Sequence, residues 1–497
     1  MHADFFSLGP VLVHHLASSR RMKALRRIIL AAVAMFALAG AGERIRAQQN
    51  TPASTAPRPA EPEYAIAVTT DRPDATYKQG EIVTFRISIT HQGAPMEEGT
   101  VAWSVTKDGV PPVQSGVAEV KNGQASVTGQ LAEPGFLQCK AIYKGPTGKD
   151  EELARGIGGA AVDPQLIRPS MPVPEDFDAF WAAQRKRLAA VPLNAKMTPV
   201  TFSTATNPPG SPESATPIEI FDVQADAIGD TPMRGYFARP AGARPKSLPA
   251  IITLEGAGVY ATRRDPWLTG WARDGFLSLE INAHGIANDK PQDFYLGLEK
   301  GALKDYQIQG RNSRDTFYFL NMYLRAQRGL DFLAAQPEWD GKILISSGTS
   351  QGGAQSIFLA GMDPRVTFLL AAVPAMCDHS GMVTGRVPGW PRLVPLRPDG
   401  KPDPAVLETS RYFDSVNFCT RVRVPSLFVA GFIDQVTPPT SVYAAFNALP
   451  GAGKEMYPAT LSPHRIDPRI WPEIRRRVLL HKNAAYTLLD SGRRAPN

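Results

Sequence analysis

Cysteine is scarce in this chain: three residues in 497, Cys139, Cys377 and Cys419. So few make a poor disulfide framework. No C-x-x-C pair and no His/Cys cluster at zinc spacing accompanies them, which argues against a structural metal. Buried thiols are expected, with a Cys377–Cys419 bridge as the alternative. Charge of one sign is also lacking. Most of the formal balance of +7 comes from residues 1–47, with seven Lys/Arg against two acids, leaving 47 basic against 45 acidic residues. No basic stripe remains, so a nucleic-acid partner is not expected. Long apolar runs are absent save one, IILAAVAMFALAGAG, of about 15 residues, short for a bilayer span. No internal repeat is found.

That single run follows RRMKALRR and precedes the small residues Ala39-Gly40-Ala41. A charged opening, an apolar stretch and small residues make a secretion signal over 1–47, with Met22 a better start than Met1. An N-terminal anchor is the alternative. The signal implies a secreted or periplasmic protein with no stable membrane span after cleavage. Residues 48–62, QQNTPASTAPRPAEP, are polar and Pro-rich and read as a disordered linker.

What is present divides into two patterns. Over 63–163, short alternating runs such as YAIAVTT, IVTFRISIT and FLQCKAIY are separated by turn residues, including Lys107-Asp108-Gly109 and Lys121-Asn122-Gly123. Half-buried strands at this spacing predict an immunoglobulin-like all-β sandwich. It carries no catalytic constellation and reads as a spacer, a packing partner or a glycan-binding module. The region after it is expected to stand without it. Over 170–490, apolar strands alternate with amphipathic helices, which predicts a mostly parallel sheet covered by helices, at the size of an α/β-hydrolase.

The chemistry is concentrated in that second region. ILISSGTSQGGAQ, residues 343–355, runs from a strand through Gly348-Thr349-Ser350-Gln351-Gly352 into a helix of small residues. This is the context of a nucleophile elbow, where a serine sits on a strained turn with glycines on either side. A serine needs a base, and the base an orienting acid. In this fold they follow in the order Ser, Asp/Glu, His. Asp434 ends the strand PSLFVAGFI, and His464 lies in TLSPHRID after the strand KEMYPA. His481, in the last helix, reads as a surface or packing residue, and Asp414 as structural. The oxyanion needs two backbone N–H groups. Gln351 supplies one, and IITLEGAGVY offers the other at Ala257 or Gly258, with Ala257 taken as the donor.

With those residues in view, the region 170–490 resembles the acetyl xylan esterase and cephalosporin-C deacetylase family, carbohydrate esterase family 7. PEDFDAFW resembles the family's Asp-Phe-Asp-x-Phe-Trp opening, and GTSQGG its Gly-x-Ser-Gln-Gly-Gly elbow. VPAMCD resembles a Val-Pro-x-x-Cys-Asp segment, and RYFDSVNF with PSLFVAGFIDQVTPP its acid-bearing region. The resemblance implies a triad of Ser350, Asp434 and His464, a core thiol at Cys377, and a homo-oligomer unless the appended domain blocks it. Three departures stand out. The family's His-Gly-Tyr is Glu255-Gly256-Ala257 here, its Arg-Gly-Gln is His284-Gly285-Ile286, and its His-Glu pair is His464-Arg465. The family's usual support of the catalytic region is therefore missing at position 284.

The leading reading is a secreted serine esterase that removes acetyl groups from carbohydrate and needs no metal or organic cofactor. A hydrolase of another small ester, lactone or amide is the alternative. A catalytically silent carbohydrate-binding protein, with the sandwich as its working module, is the reading from a different class.

Overall fold

Alternation in the first third of the chain does build strands. In β3 (Val83–His91) the apolar residues Val83, Phe85, Ile87 and Ile89 are buried and polar ones lie between them. The computed structural model describes residues 62–109, 112–145, 152–201, 217–263, 267–451 and 453–492. The expected signal at 1–47 and the expected linker up to residue 61 lie outside them. Around β3 stand β1 (Tyr64–Thr70), β2 (Thr76–Tyr77), β4 (Ala94–Pro95), β5 (Glu98–Lys107), β6 (Pro112–Lys121), β7 (Gln124–Gly129), β8 (Gly135–Tyr143) and β9 (Ala154–Val162). One antiparallel layer runs β1-β3-β7 and another β6-β5-β8-β9. Among the described residues, strand pairing links them at the β6–β7 hairpin, through Lys121 and Gln124. The short β4 pairs with β3, and β2 lies parallel to β9. Asp108 and Asn122 take φ of 53° and 49° in the two turns read from the sequence. Between the layers lie Phe85, Ile87, Val101, Val105, Leu137 and Cys139.

The second region is a nine-stranded sheet built from β10 (Lys196–Pro199), β11 (Ile218–Ala225), β12 (Met233–Pro240), β13 (Leu248–Leu254), β14 (Leu277–Ile281), β15 (Trp339–Thr349), β16 (Phe368–Ala372), β17 (Ser426–Gly431) and β18 (Lys454–Ala459). Its order is β10-β11-β12-β14-β13-β15-β16-β17-β18. From β14 to β18 neighbours are parallel, as the alternation predicts. The first three strands run antiparallel, and β12 is antiparallel to β14. The link from β11 to β12 is too short for the helical crossover that a parallel pair requires.

Helices α1 (Phe177–Ala189), α2 (Trp267–Arg273), α3 (Gln292–Lys300), α4 (Phe319–Ala334), α5 (Gln351–Met362), α6 (Pro404–Arg411), α7 (Ser415–Cys419), α8 (Pro439–Ala448) and α9 (Trp471–Gly492) cover the sheet. Successive strand residues face opposite sides. Ile252 and Leu344 pack with α1, α4 and α5, whereas Ile251 and Ile345 pack with Trp271 of α2 and Ile474 and Val478 of α9. All three cysteines are free and buried. Among the described residues no helix is long and apolar enough to cross a membrane.

The two regions share a core. Phe136 of β8 and Ala161 of β9 belong to the same buried cluster as Phe432 and Tyr443. The Phe136 ring stands 5.0 Å from that of Phe432 and 5.3 Å from that of Tyr443. From residue 62 onward the described chain lies within one compact unit. Removing the first region would therefore uncover part of the second region's core. Apolar strand residues reveal that they are buried, but not against which element.

Candidate active site

The strand β15 delivers Ser350 to the C-terminal edge of the sheet, and α5 begins at the next residue. Ser350 has φ 57° and ψ −120°, a region that costs a non-glycine residue on the order of 1–3 kcal/mol. The surroundings hold it there. Its N–H donates to the Ala372 carbonyl at 2.9 Å, and its own carbonyl accepts from Ala354 at 3.2 Å and Ala375 at 2.9 Å. The flanking glycines are required by close approach. A Cβ on Gly352 would lie 1.9 Å from the Leu254 carbonyl oxygen, and one on Gly348 2.1 Å from that of Gly352. The elbow thus presses against the end of β13, where the loop 255–260 starts.

Asp434 comes from the loop after β17 and His464 from the loop after β18, adjacent parallel strands whose ends lie side by side. The Asp434 carboxylate is fully buried, and a group of that kind needs its acceptor sites filled. Oδ1 accepts the N–H groups of Val436 at 2.8 Å and Thr437 at 2.9 Å. Oδ2 accepts the Thr437 hydroxyl at 2.7 Å and His464 Nδ1 at 2.8 Å. A carboxylate only accepts, so the proton of His464 sits on Nδ1. Nε2 is left to accept from the Ser350 hydroxyl, at 2.9 Å. Thr437 was not singled out in the sequence. Asp-x-x-Thr after a strand, with Pro438-Pro439 opening a helix, is the signal that points to it.

Gln351 opens α5, in the turn whose backbone donors have no intrahelical partner. Its buried side chain accepts the Tyr306 hydroxyl at 2.6 Å. The loop after β13 lies against the serine through Gly256, where a Cβ would lie 3.7 Å from that of Ser350. Ala257 follows and is exposed. At Gly258 the carbonyl accepts Nε2–H of His284 at 3.0 Å, and His284 Nδ1 accepts the Tyr318 hydroxyl at 2.7 Å. Burial pushes the His284 imidazole down to about 4, so it is neutral here, with the Gly258 carbonyl acting the other way. Arg325 grips the Ala283 carbonyl through Nε at 3.0 Å and a second guanidinium nitrogen at 2.8 Å. Position 284, where the sequence departs from the family motif, thus supports the loop beside the serine through the Gly258 carbonyl and Tyr318.

The remaining residues fall outside the cluster. Asp414 caps α7 and accepts the N–H groups of Val416, Asp378 and His379 at 2.7–2.9 Å. His481 packs on Phe368, with ring centres 4.7 Å apart. The Cys377 thiol is buried and donates toward the Pro374 and Ala375 carbonyls, a core position. Among the described residues no group of three His, Cys, Asp or Glu gathers at metal-holding distance.

Known proteins resemble this chain in sequence and in fold. The model of the acetyl xylan esterase (AXE1) family matches residues 165–460. The chain is similar to acetyl esterase Axe7A of Xylanibacter ruminicola, 29% identical over 409 residues that cover 81% of this chain and 87% of that protein. That stretch is longer than everything from residue 165 to the C-terminus, so it reaches into the N-terminal strands. A solved acetyl xylan esterase from Paenibacillus sp. R4 is 26% identical with a TM-score of 0.54, covering 64% of this chain and 98% of that one. Acetyl xylan esterase 1 of Thermoanaerobacterium sp. JW/SL YS485, 19% identical with a TM-score of 0.50 over 64% of this chain and 97% of that one, shares the fold.

Proposed function

This chain belongs to the acetyl xylan esterase family and is a carboxylic ester hydrolase, and from that premise we propose that it deacetylates carbohydrate through an acyl-enzyme on Ser350. The observation that carries this reading is the unbroken hydrogen-bond chain from Ser350 through His464 to Asp434. Ser350 Oγ attacks the ester carbonyl while His464 Nε2 takes its proton. Asp434 holds the imidazole in the required tautomer and stabilises the imidazolium that forms. The N–H groups of Gln351 and Ala257 receive the oxyanion. Collapse of the tetrahedral intermediate expels the sugar hydroxyl, which takes the proton from His464. A water deprotonated by the same imidazole then releases acetate.

The acetyl group and the carbohydrate partner are drawn from the family and from the names of the similar esterases. Export belongs to the same proposal, supported by the charged and apolar leader within residues 1–47. An immunoglobulin-like reading of the N-terminal domain is supported by the order β1-β3-β7 against β6-β5-β8-β9 and by the parallel pairing of β2 with β9.

Acetate release from acetylated xylan, an acetylated sugar monomer and p-nitrophenyl esters of increasing acyl length tests the proposal. Ser350→Ala is expected to lose on the order of 10⁴–10⁶ in turnover while keeping its fold. Near-native rates in the folded variant would remove Ser350 from the mechanism. Faster turnover of longer acyl chains than of acetyl would leave the mechanism and reject the substrate.

A further inference from the structure

The loop that carries Asp434 is held from two directions. Downstream of the carboxylate, the second region supplies the grip. Trp390 donates its N–H to the Val436 carbonyl at 3.2 Å, and the Arg392 guanidinium reaches the Gln435 carbonyl at 3.4 Å. Upstream, the carbonyl of Phe432 receives its donor from the N-terminal domain. Gln138 of β8 is 1% exposed, and its Nε2 donates to Phe432 O at 3.0 Å. Its Oε1 accepts from Nε2 of Gln435 at 3.4 Å. One side-chain amide therefore binds the backbone two residues before Asp434 and the side chain one residue after it.

The seating around this amide is tight. The space for a Cβ on Gly159 of β9 is filled by the Phe432 carbonyl oxygen, 2.6 Å away. Asp108, in the β5–β6 turn, accepts the hydroxyl of Thr440 at the start of α8. Phe432 stands two residues before Asp434 and is seated on β8 and β9, so a displacement of Phe432 is passed along the backbone to Asp434. A carboxylate displaced by an ångström misaligns the imidazole. Positional errors of that size cost about a hundredfold in rate.

We propose that Gln138 is a positioning residue for ester hydrolysis, supplied by the N-terminal domain, which fixes the Asp434 loop by bonds on both sides of that carboxylate. This rests on the reading of Ser350, His464 and Asp434 as the triad. The domain is accordingly a working part of the active site.

The experiment uses the full chain carrying Gln138→Met, which keeps the length and volume of the side chain and removes both polar ends. Turnover of p-nitrophenyl acetate is followed against pH, with Ser350→Ala alongside and thermal unfolding as the measure of folding. The expected result is kcat lower by about 10–100-fold with KM within about twofold of native. The acid limb of the kcat/KM profile should also move to lower pH, since an imidazolium held less closely by its carboxylate is less stabilised. Unchanged kcat and profile in a folded Gln138→Met would overturn the inference. So would a loss that tracks only the folded fraction with an unmoved profile, which is the mark of packing alone. Should Gln138→Met not fold, Gln435→Ala, at the exposed end of the same bond, is read by the same criteria. An active Ser350→Ala rejects the triad instead, so the two failures are distinguishable.

Discussion

Asp108 shows what a single buried group contributes at the junction. One oxygen accepts from Thr440, and the other, Oδ2, is buried without a partner. Burial pushes this carboxyl up to about 6, against the lowering influence of Thr440, Lys107 and Arg386. A folded value above the unfolded 3.8 means that the folded state holds the proton more tightly. The stabilisation is full below about pH 4 and is lost as pH rises through about 6. Asp108→Asn keeps the shape and the acceptor but cannot ionise. The variant is expected to be more stable than the native chain at pH 8, by up to about 3 kcal/mol, and to show no such advantage at pH 4. Urea unfolding at the two pH values measures this; an advantage at pH 4 that vanished at pH 8 would refute the sign. At this scale the sequence is uneven. Ser350, Asp434 and His464 were legible because each ends or follows a strand and their chain order leaves few combinations. Thr437 was within reach of its local spacing. Gln138 was not, since its meaning depends on which loop β8 touches.

At the scale of elements, the turn from β15 into α5 is governed by volume. With the Leu254 oxygen 1.9 Å from the Cβ position of Gly352, and that of Glu255 at 2.7 Å, a methyl group there must part α5 from the end of β13. Both neighbours are backbone atoms and no side-chain rotation relieves them. Gly352→Ala is therefore expected to cost about 3 kcal/mol or more, seen as lost soluble yield or a clear fall in Tm. A native Tm with native turnover would mean that the elbow has room that the structure denies it. Hydrophobic period made the core strands and the larger helices readable, down to Lys454–Ala459 and the long final helix, but not β10, β11 or the short helices such as Trp267–Arg273. The direction of β12 was not readable either, because an apolar run looks the same whichever way its neighbour runs. Connection length decides it.

Across the whole molecule, the N-terminal strands and the esterase region share one buried core. Removing residues 62–163 would bare Phe432 and Tyr443 and leave the Phe432 carbonyl without its Gln138 donor. Exposed apolar area of this kind lowers stability and promotes association. The truncated chain is expected to be insoluble or to unfold well below the full chain; a soluble, monomeric truncation with full turnover of a small acetyl ester would show that the junction is dispensable. Composition and turn chemistry located the two regions, but complementarity between surfaces is not a property of either stretch alone. The junction also sets a timetable. Gln138 and Phe432 are 294 positions apart, and Asp108 and Thr440 are 332 apart. At a synthesis rate of about 5–20 residues per second, the N-terminal strands leave the ribosome roughly a quarter of a minute to a minute before their partners exist. Through that interval Phe136 and Ala161 have no second surface to meet. The seat beside Asp434 is among the last to be filled, so hydrolytic competence arrives at the close of biogenesis rather than with the first folded strands.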